Sequence, residues 1–159
     1  MAELKVTEIS PARLYDLRRR VLREANPDAN VANLRDDEAE SLHVAGLLED
    51  RVVSSASYYQ TPSPDHERAL AYQMRYVATD FDVQSRGFGR LVLAFAEDEL
   101  RRRGAEIVWA NARDRALRFY RREGWHVVEG TEHLSAETQL AHTRIFKDLR
   151  SSNDDRAIH

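Results

Sequence analysis

The chain has 159 residues, 42% of them hydrophobic and 32% charged, with a formal net charge of -3 and no cysteine. That length suits one well-buried domain rather than two, and the composition is that of a globular chain, not a disordered or fibrous one. The missing thiols exclude a disulfide framework, a thiolate metal centre and a cysteine nucleophile, while the acidic balance argues against a nucleic-acid or membrane-surface binder. No basic stretch leads into an apolar run at the N-terminus and nowhere do about 18 apolar residues follow one another, so a cytoplasmic location is expected.

Leu4 to Ile9 alternates apolar and polar side chains, which predicts a strand, and Ser10-Pro11 then opens a helix. Leu14, Leu17, Val21 and Leu22 share one face of that helix, which fades at Asn26-Pro27-Asp28. Arg18-Arg19-Arg20 near its end reads as a solvated face that complements the negative end of the helix dipole, as do Arg101 to Arg103 and Arg121-Arg122 later. Ala29 to Glu40 is polar and predicts a loop or short helix. Its acids Asp36, Asp37, Glu38 and Glu40 read as exposed, with reception of a cationic amine as the alternative.

Ser41 to Leu48 and Val52 to Tyr59 predict a hairpin around Glu49-Asp50-Arg51, and Gln60 to Arg68, with Pro62 and Pro64, predicts a loop. Leu70 to Thr79 is a third long strand pattern. Phe88 to Arg103 carries Leu91, Val92, Phe95, Ala96 and Leu100 at helical spacing and stops at Gly104. A short strand, Ile107 to Ala110, and a helix from Arg113 to Glu123 ended by Gly124 follow. Trp125 to Val128 and Thr143 to Leu149 are closing strands, and Ser151 to His159 reads as a disordered tail, so the expected domain is 1–150. The element order predicts a single α+β domain, of α/β/α type, with a mixed, mostly antiparallel sheet flanked by helices.

The segment that carries chemistry is the end of the long strand followed by Gln84-Ser85-Arg86-Gly87-Phe88-Gly89-Arg90 and a helix. Unpaired backbone N–H groups and the positive dipole end at a helix N-terminus suit a diphosphate, and glycines at 87 and 89 allow a close backbone approach. Arg86 and Arg90 add charge. The segment lacks the Lys-Ser/Thr of a nucleotide-triphosphate loop and the third glycine of a dinucleotide fold. By itself, two glycines around a phenylalanine fit a structural turn equally well.

Gln84 to Gly89 resembles the Gln/Arg-x-x-Gly-x-Gly/Ala pattern of the GNAT N-acetyltransferases, and Ala116, Phe119-Tyr120 and Gly124-Trp125 are similar to that family's second signature. The run from Trp109 to Arg113 is similar to a bacterial subgroup related to ElaA-type proteins. The resemblance covers the chain to about Leu149 and implies a single GNAT-like domain that moves an acetyl group from acetyl-CoA to a primary amine by direct attack, without a metal. It also implies that Val77, Ala78 and Thr79 contact the pantetheine arm and acetyl carbonyl through their main chain and that Gln84, Ser85, Arg86, Gly87, Phe88, Gly89 and Arg90 wrap the pyrophosphate. Tyr120 would protonate the departing thiolate, with a core aromatic as the alternative. Where relatives carry a cofactor-binding asparagine three residues before the helix alanine, this chain has Arg113, with Asn111 two places earlier as the candidate.

The strand glutamate that serves some relatives as general base has no counterpart, since Gln73 and Arg75 stand there. His43, His142, Glu129 or a water chain are the remaining choices. The expected acceptor is a small-molecule or peptide amine, with no nucleic acid or membrane partner, and the family expectation is a homodimer. A non-catalytic acyl-CoA sensor or partner module is the reading from another class.

Overall fold

The structure, a computed structural model, describes residues 3–150. The tail expected at 151–159 lies outside the described residues. Contacts group the chain into two compact units, Met1–Gln60 with Met74–Arg102 and Thr61–Gln73 with Arg103–His159.

In the first unit, the alternation that begins at Leu4 becomes β1 (Leu4–Glu8), which pairs antiparallel with β2 (Leu42–Leu48). β2 turns through Glu49, at φ 55, into its antiparallel partner β3 (Arg51–Gln60), with a register shift between Gly46 and Leu47. β4 (Ala71–Thr79) runs from the second unit into the first. α2 (Phe88–Arg102) packs against β1, β2 and β3, burying Val92, Leu93, Ala96, Glu97 and Leu100. These positions form a stripe of period 3 to 4, and Leu91, expected on it, falls one residue to the side and is exposed.

The helix expected after Pro11 is broken into a 3-10 turn (Pro11–Leu14), a short α1 (Tyr15–Leu17) and a π turn (Arg18–Leu22). A π turn holds more residues per turn than an α-helix and therefore rotates the side chains that follow it off the α-helical stripe. Leu14 and Leu17 are buried as expected, but the next buried side chain is Arg18, and Val21 and Leu22 are only half-buried.

In the second unit, β5 (Ile107–Arg113) leads through a 3-10 turn (Asp114–Ala116) into α3 (Leu117–Arg122). β8 (Ala141–Asp148) pairs antiparallel with β5, with β6 (His126–Val127) and with β7 (His133–Leu134). β7 has two exposed residues, so it lacks the buried face that periodicity would reveal. Ala71, Tyr72 and Gln73 of β4 pair in parallel with Ile107, Val108 and Trp109, and this ladder makes the sheet mixed. The strand order is β1-β2-β3-β4-β5-β8-β6, with β7 on β8. An eight-stranded mixed sheet flanked by helices therefore matches the architecture expected from the element order.

Gly104 ends α2 at φ +84, and the nearest atom that a side-chain carbon there would meet is a Leu70 methyl 3.9 Å away. Space is free, so only backbone conformation favours glycine. Gly104→Ala is expected to lower stability by about 1 kcal/mol, read as a fall in the urea midpoint with an unchanged slope.

Candidate functional site

β4 delivers the chain to the glycine turn through Asp80. Its backbone N–H donates to Val53 O at 2.8 Å, and its carboxylate accepts from Phe81 N at 3.0 Å, capping the 3-10 turn Phe81–Val83. The same carboxylate accepts from Arg20 at 2.6 Å and Arg51 at 2.7 Å. Burial alone would raise this carboxyl, but the two guanidinium groups outweigh burial and hold it below its ordinary range. Two ion pairs thus fix the point at which the turn begins.

The turn itself closes when Gln84 Nε2 donates to Thr79 O at 3.1 Å. Ser85 and Gly87 take positive φ, 68° and 79°, which reverses the chain into α2. Leu91 N donates to Gly87 O at 3.2 Å as the first helical bond, so the N–H groups of Gly87, Phe88, Gly89 and Arg90 have no acceptor within the helix. A side-chain carbon at Gly89 would lie 3.5 Å from Thr79 Oγ1, so strand end and helix start lie close together. Phe88 is half-buried, and Arg86 and Arg90 are exposed with Gln84 and Ser85. The structure thus brings the predicted residues from Thr79 to Arg90 together as a cradle of positive dipole and cationic side chains, which suits an anion.

Just before this, Ala78 is buried, Val77 and Thr79 are half-buried, and Thr79 Oγ1 lies 2.9 Å from Ser54 Oγ. Tyr76 has φ 58 inside the strand, a value costly for a bulky side chain. In the second unit, Asn111 is exposed on β5 opposite Arg144 of β8. Tyr120 is 6% exposed in α3, its ring edge-on to Phe119 at 5.2 Å and Trp125 at 5.5 Å. Burial pushes its phenol above the ordinary tyrosine value, so it is protonated and able to donate at neutral pH.

The acidic loop is where sequence reasoning fails. Asp36, expected at the surface, is 3% exposed, and Arg18, expected on a solvated face, is 1% exposed. The two form an ion pair at 3.0 Å. Asp36 also accepts from Tyr15 OH at 3.1 Å, Asn33 N at 2.9 Å and Tyr59 OH. Burial would raise its carboxyl, yet the donors from Arg18, Tyr59 and Asn33 overcome that and hold it down at about 2. Neither the amine-receptor reading nor the solvated reading survives for Asp36, because its lone pairs are already spent inside the protein.

His43 belongs to the same cluster. Arg18 donates to Ser57 Oγ at 2.8 Å, Ser57 Oγ lies 2.8 Å from His43 Nδ1, and His43 Nε2 lies 2.9 Å from Asp36 O. An arginine only donates and a carbonyl only accepts, so each atom is satisfied when Nε2 carries the proton and Ser57 donates to Nδ1. Burial lowers the pKa of His43, in agreement with this neutral tautomer. A histidine 4% exposed with both nitrogens engaged is structural, which removes it from the candidate bases. His142 is half-buried, its Nδ1 2.8 Å from Leu140 O, and Glu129 is exposed. Arg18, Tyr59 and Tyr76 were not singled out in advance; an arginine four residues after Leu14, and so on the buried face of the helix, was the available signal.

Among the described residues, no group of three or more His, Asp or Glu could hold a metal ion, and no helix is long and apolar enough to cross a membrane. Residues 12–125 match the model of the acetyltransferase (GNAT) family. The chain is 29% identical over 150 residues to the uncharacterized N-acetyltransferase YitI of Bacillus subtilis (strain 168), covering 94% of this chain and 99% of that protein. Among solved structures, it is similar to a putative N-acetyltransferase from Lactobacillus plantarum, with TM-score 0.72, 22% identity and coverage of 92% and 98%. It is similar also to Escherichia coli ElaA, with TM-score 0.69, 16% identity and coverage of 93% and 100%. An aminoglycoside 6'-N-acetyltransferase complexed with coenzyme A gives TM-score 0.73 at 13% identity, covering 91% of this chain and 97% of that one.

The His43 assignment has a measurable consequence. Its folded pKa lies below the ordinary histidine value of 6.5, so as pH falls through 6.5 the unfolded chain takes up a proton that the folded chain refuses. Stability is expected to be complete above pH 6.5 and to decline below it, whereas His43→Gln, which keeps the donor toward Asp36 O, removes that step from the urea midpoint plotted against pH.

Proposed function

Since the chain belongs to the acetyltransferase (GNAT) family, we propose that it transfers an acetyl group from acetyl-CoA to a primary amine by direct attack in a ternary complex. The observation that carries this reading is the glycine turn, where positive φ at Ser85 and Gly87 places the open N-terminus of a 15-residue helix beside Arg86 and Arg90. Family membership and the YitI relationship support acyl-CoA-dependent acyl transfer. The coenzyme A complex of a fold neighbour supports the choice of cofactor.

In this scheme the pyrophosphate takes the N–H groups of Gly87 to Arg90, with Gln84 and Ser85 framing the turn. The backbone of Val77, Ala78 and Thr79 runs along the pantetheine arm, and an N–H near Val77 holds the carbonyl oxygen as it gains charge. Asn111 contributes a further contact to the cofactor. The neutral amine forms a C–N bond, the C–S bond breaks, and the ammonium proton is released while the sulfur leaves as a thiolate that takes its proton from solvent. Tyr120 serves the sulfur. A thiol of pKa about 8.5 is a stronger acid than a buried phenol, so full transfer from Tyr120 is uphill and its contribution is a hydrogen bond that strengthens as the thiolate forms. With His43 removed, His142, Glu129 or water takes the ammonium proton.

The first test is a thermal-shift titration with acetyl-CoA, coenzyme A and ATP. Saturable stabilisation by the first two, about 2.7 kcal/mol at a hundredfold excess over Kd, is expected, with none from ATP. No shift with any of the three would end the acyl-CoA reading, and binding without transfer to any amine would favour the sensor. Tyr120→Phe is expected to lower kcat by about 100-fold with the affinity for coenzyme A preserved; full turnover would remove the phenol from the scheme.

A further inference from the structure

Tyr76 stands immediately before the segment assigned to the thioester carbonyl, and its φ of 58° is one that an unconstrained tyrosine in a strand would abandon. Its ring is held on several sides. The Arg18 guanidinium lies 4.1 Å from the ring centroid and that of Arg75 4.8 Å, Tyr59 meets it edge-on at 6.4 Å, and Asn33 Nδ2 donates to the phenol oxygen at 3.1 Å. Arg18 is itself immobilised by Val31 O at 2.9 Å, by Asp36 and by Ser57.

Stability alone does not account for this arrangement. Burying two charges costs more in lost hydration than apolar residues of the same volume would, and Arg18 Nε is buried without a hydrogen-bond partner among the described residues. Local rules are broken in this way where geometry has to be specified.

We propose that the Arg18–Asp36 ion pair is a positioning device for acyl transfer: it locks the Tyr76 ring, and through that ring the positive-φ backbone that aims the following N–H groups at the thioester carbonyl. Asn33 completes the lock from the loop, so loop and strand are set by one carboxylate. Neither Arg18 nor Asp36 touches the reacting atoms in this role. The inference rests on the acyl-CoA reading above.

The experiment follows the carbonyl stretch of acetyl-CoA, unlabelled and 13C-labelled at the carbonyl, bound to the full chain. Coenzyme A affinity from thermal shift serves as the control for folding and for the pyrophosphate cradle. In the wild type the band is expected below that of free acetyl-CoA, because a preorganised donor polarises the bond. In the charge-free double variant Arg18→Met with Asp36→Asn it is expected to return about halfway or more toward the free value, with coenzyme A affinity retained and kcat down about tenfold. Asn33→Ala and Tyr76→Phe, each of which removes the bond to the phenol oxygen, give a smaller return of the same sign. A band that stays shifted in the double variant overturns the proposal. If that variant does not fold, an unmoved band in both Asn33→Ala and Tyr76→Phe overturns it instead. A wild type that does not bind acetyl-CoA refutes the acyl-CoA reading, and one that binds with an unshifted carbonyl refutes the positioning role alone.

Discussion

A carboxylate taken out of water has to be met by donors, and the way Asp36 is met organises the N-terminal part of the molecule. Its partners come from the helical segment (Tyr15 and Arg18), from its own loop (Asn33) and from β3 (Tyr59). Drawing these together converts a polar stretch without regular structure into a fixed wall. Asp80 repeats the device at the end of β4, gathering Arg20 and Arg51. Arg18 and Arg20, two places apart in one turn of chain, thus serve two aspartates that flank the strand end and the loop. Removal of one partner from such a pair strands a buried charge, at a cost of about 3–5 kcal/mol.

Much of this fold was legible because it follows local rules. Alternation gave β1, strand-forming runs gave β2 to β4, glycine marked the ends of α2 and α3, and Gln84 to Arg90 lay where a strand gives way to an amphipathic helix. What stayed hidden depended on distant residues. Three consecutive arginines describe a wet surface to any reading of local pattern, and only the fold reveals that Arg18 faces Asp36, 18 residues on. His43 likewise carries the formal credentials of a base until Ser57 and the Asp36 carbonyl are seen to occupy both nitrogens. The π turn that carries Val21 and Leu22 partly off the buried stripe and the two-residue β7 leave no periodic trace.

For Tyr120, proposed to serve the sulfur, the environment is as telling as its identity. A buried phenol packed against Phe119 and Trp125 keeps its proton at neutral pH, so it is suited to stabilise negative charge and is a poor source of a free proton. Preorganised donors of this sort act by being in place before charge appears, which ties the chemistry to the rigidity of what surrounds them.

The contrast between the sealed Arg18–Asp36 pair and the open arginines of the glycine turn extends to dissolved ions. Counterions reach Arg86 and Arg90 freely, and at about 0.15 M salt their field fades within roughly 8 Å, whereas a pair at 1% side-chain exposure lies beyond the ionic atmosphere. Ionic strength therefore acts on the exposed arginines and leaves the sealed pair untouched: under the proposed scheme, affinity for an anionic cofactor would follow the salinity of the medium, while the frame around Tyr76 would not.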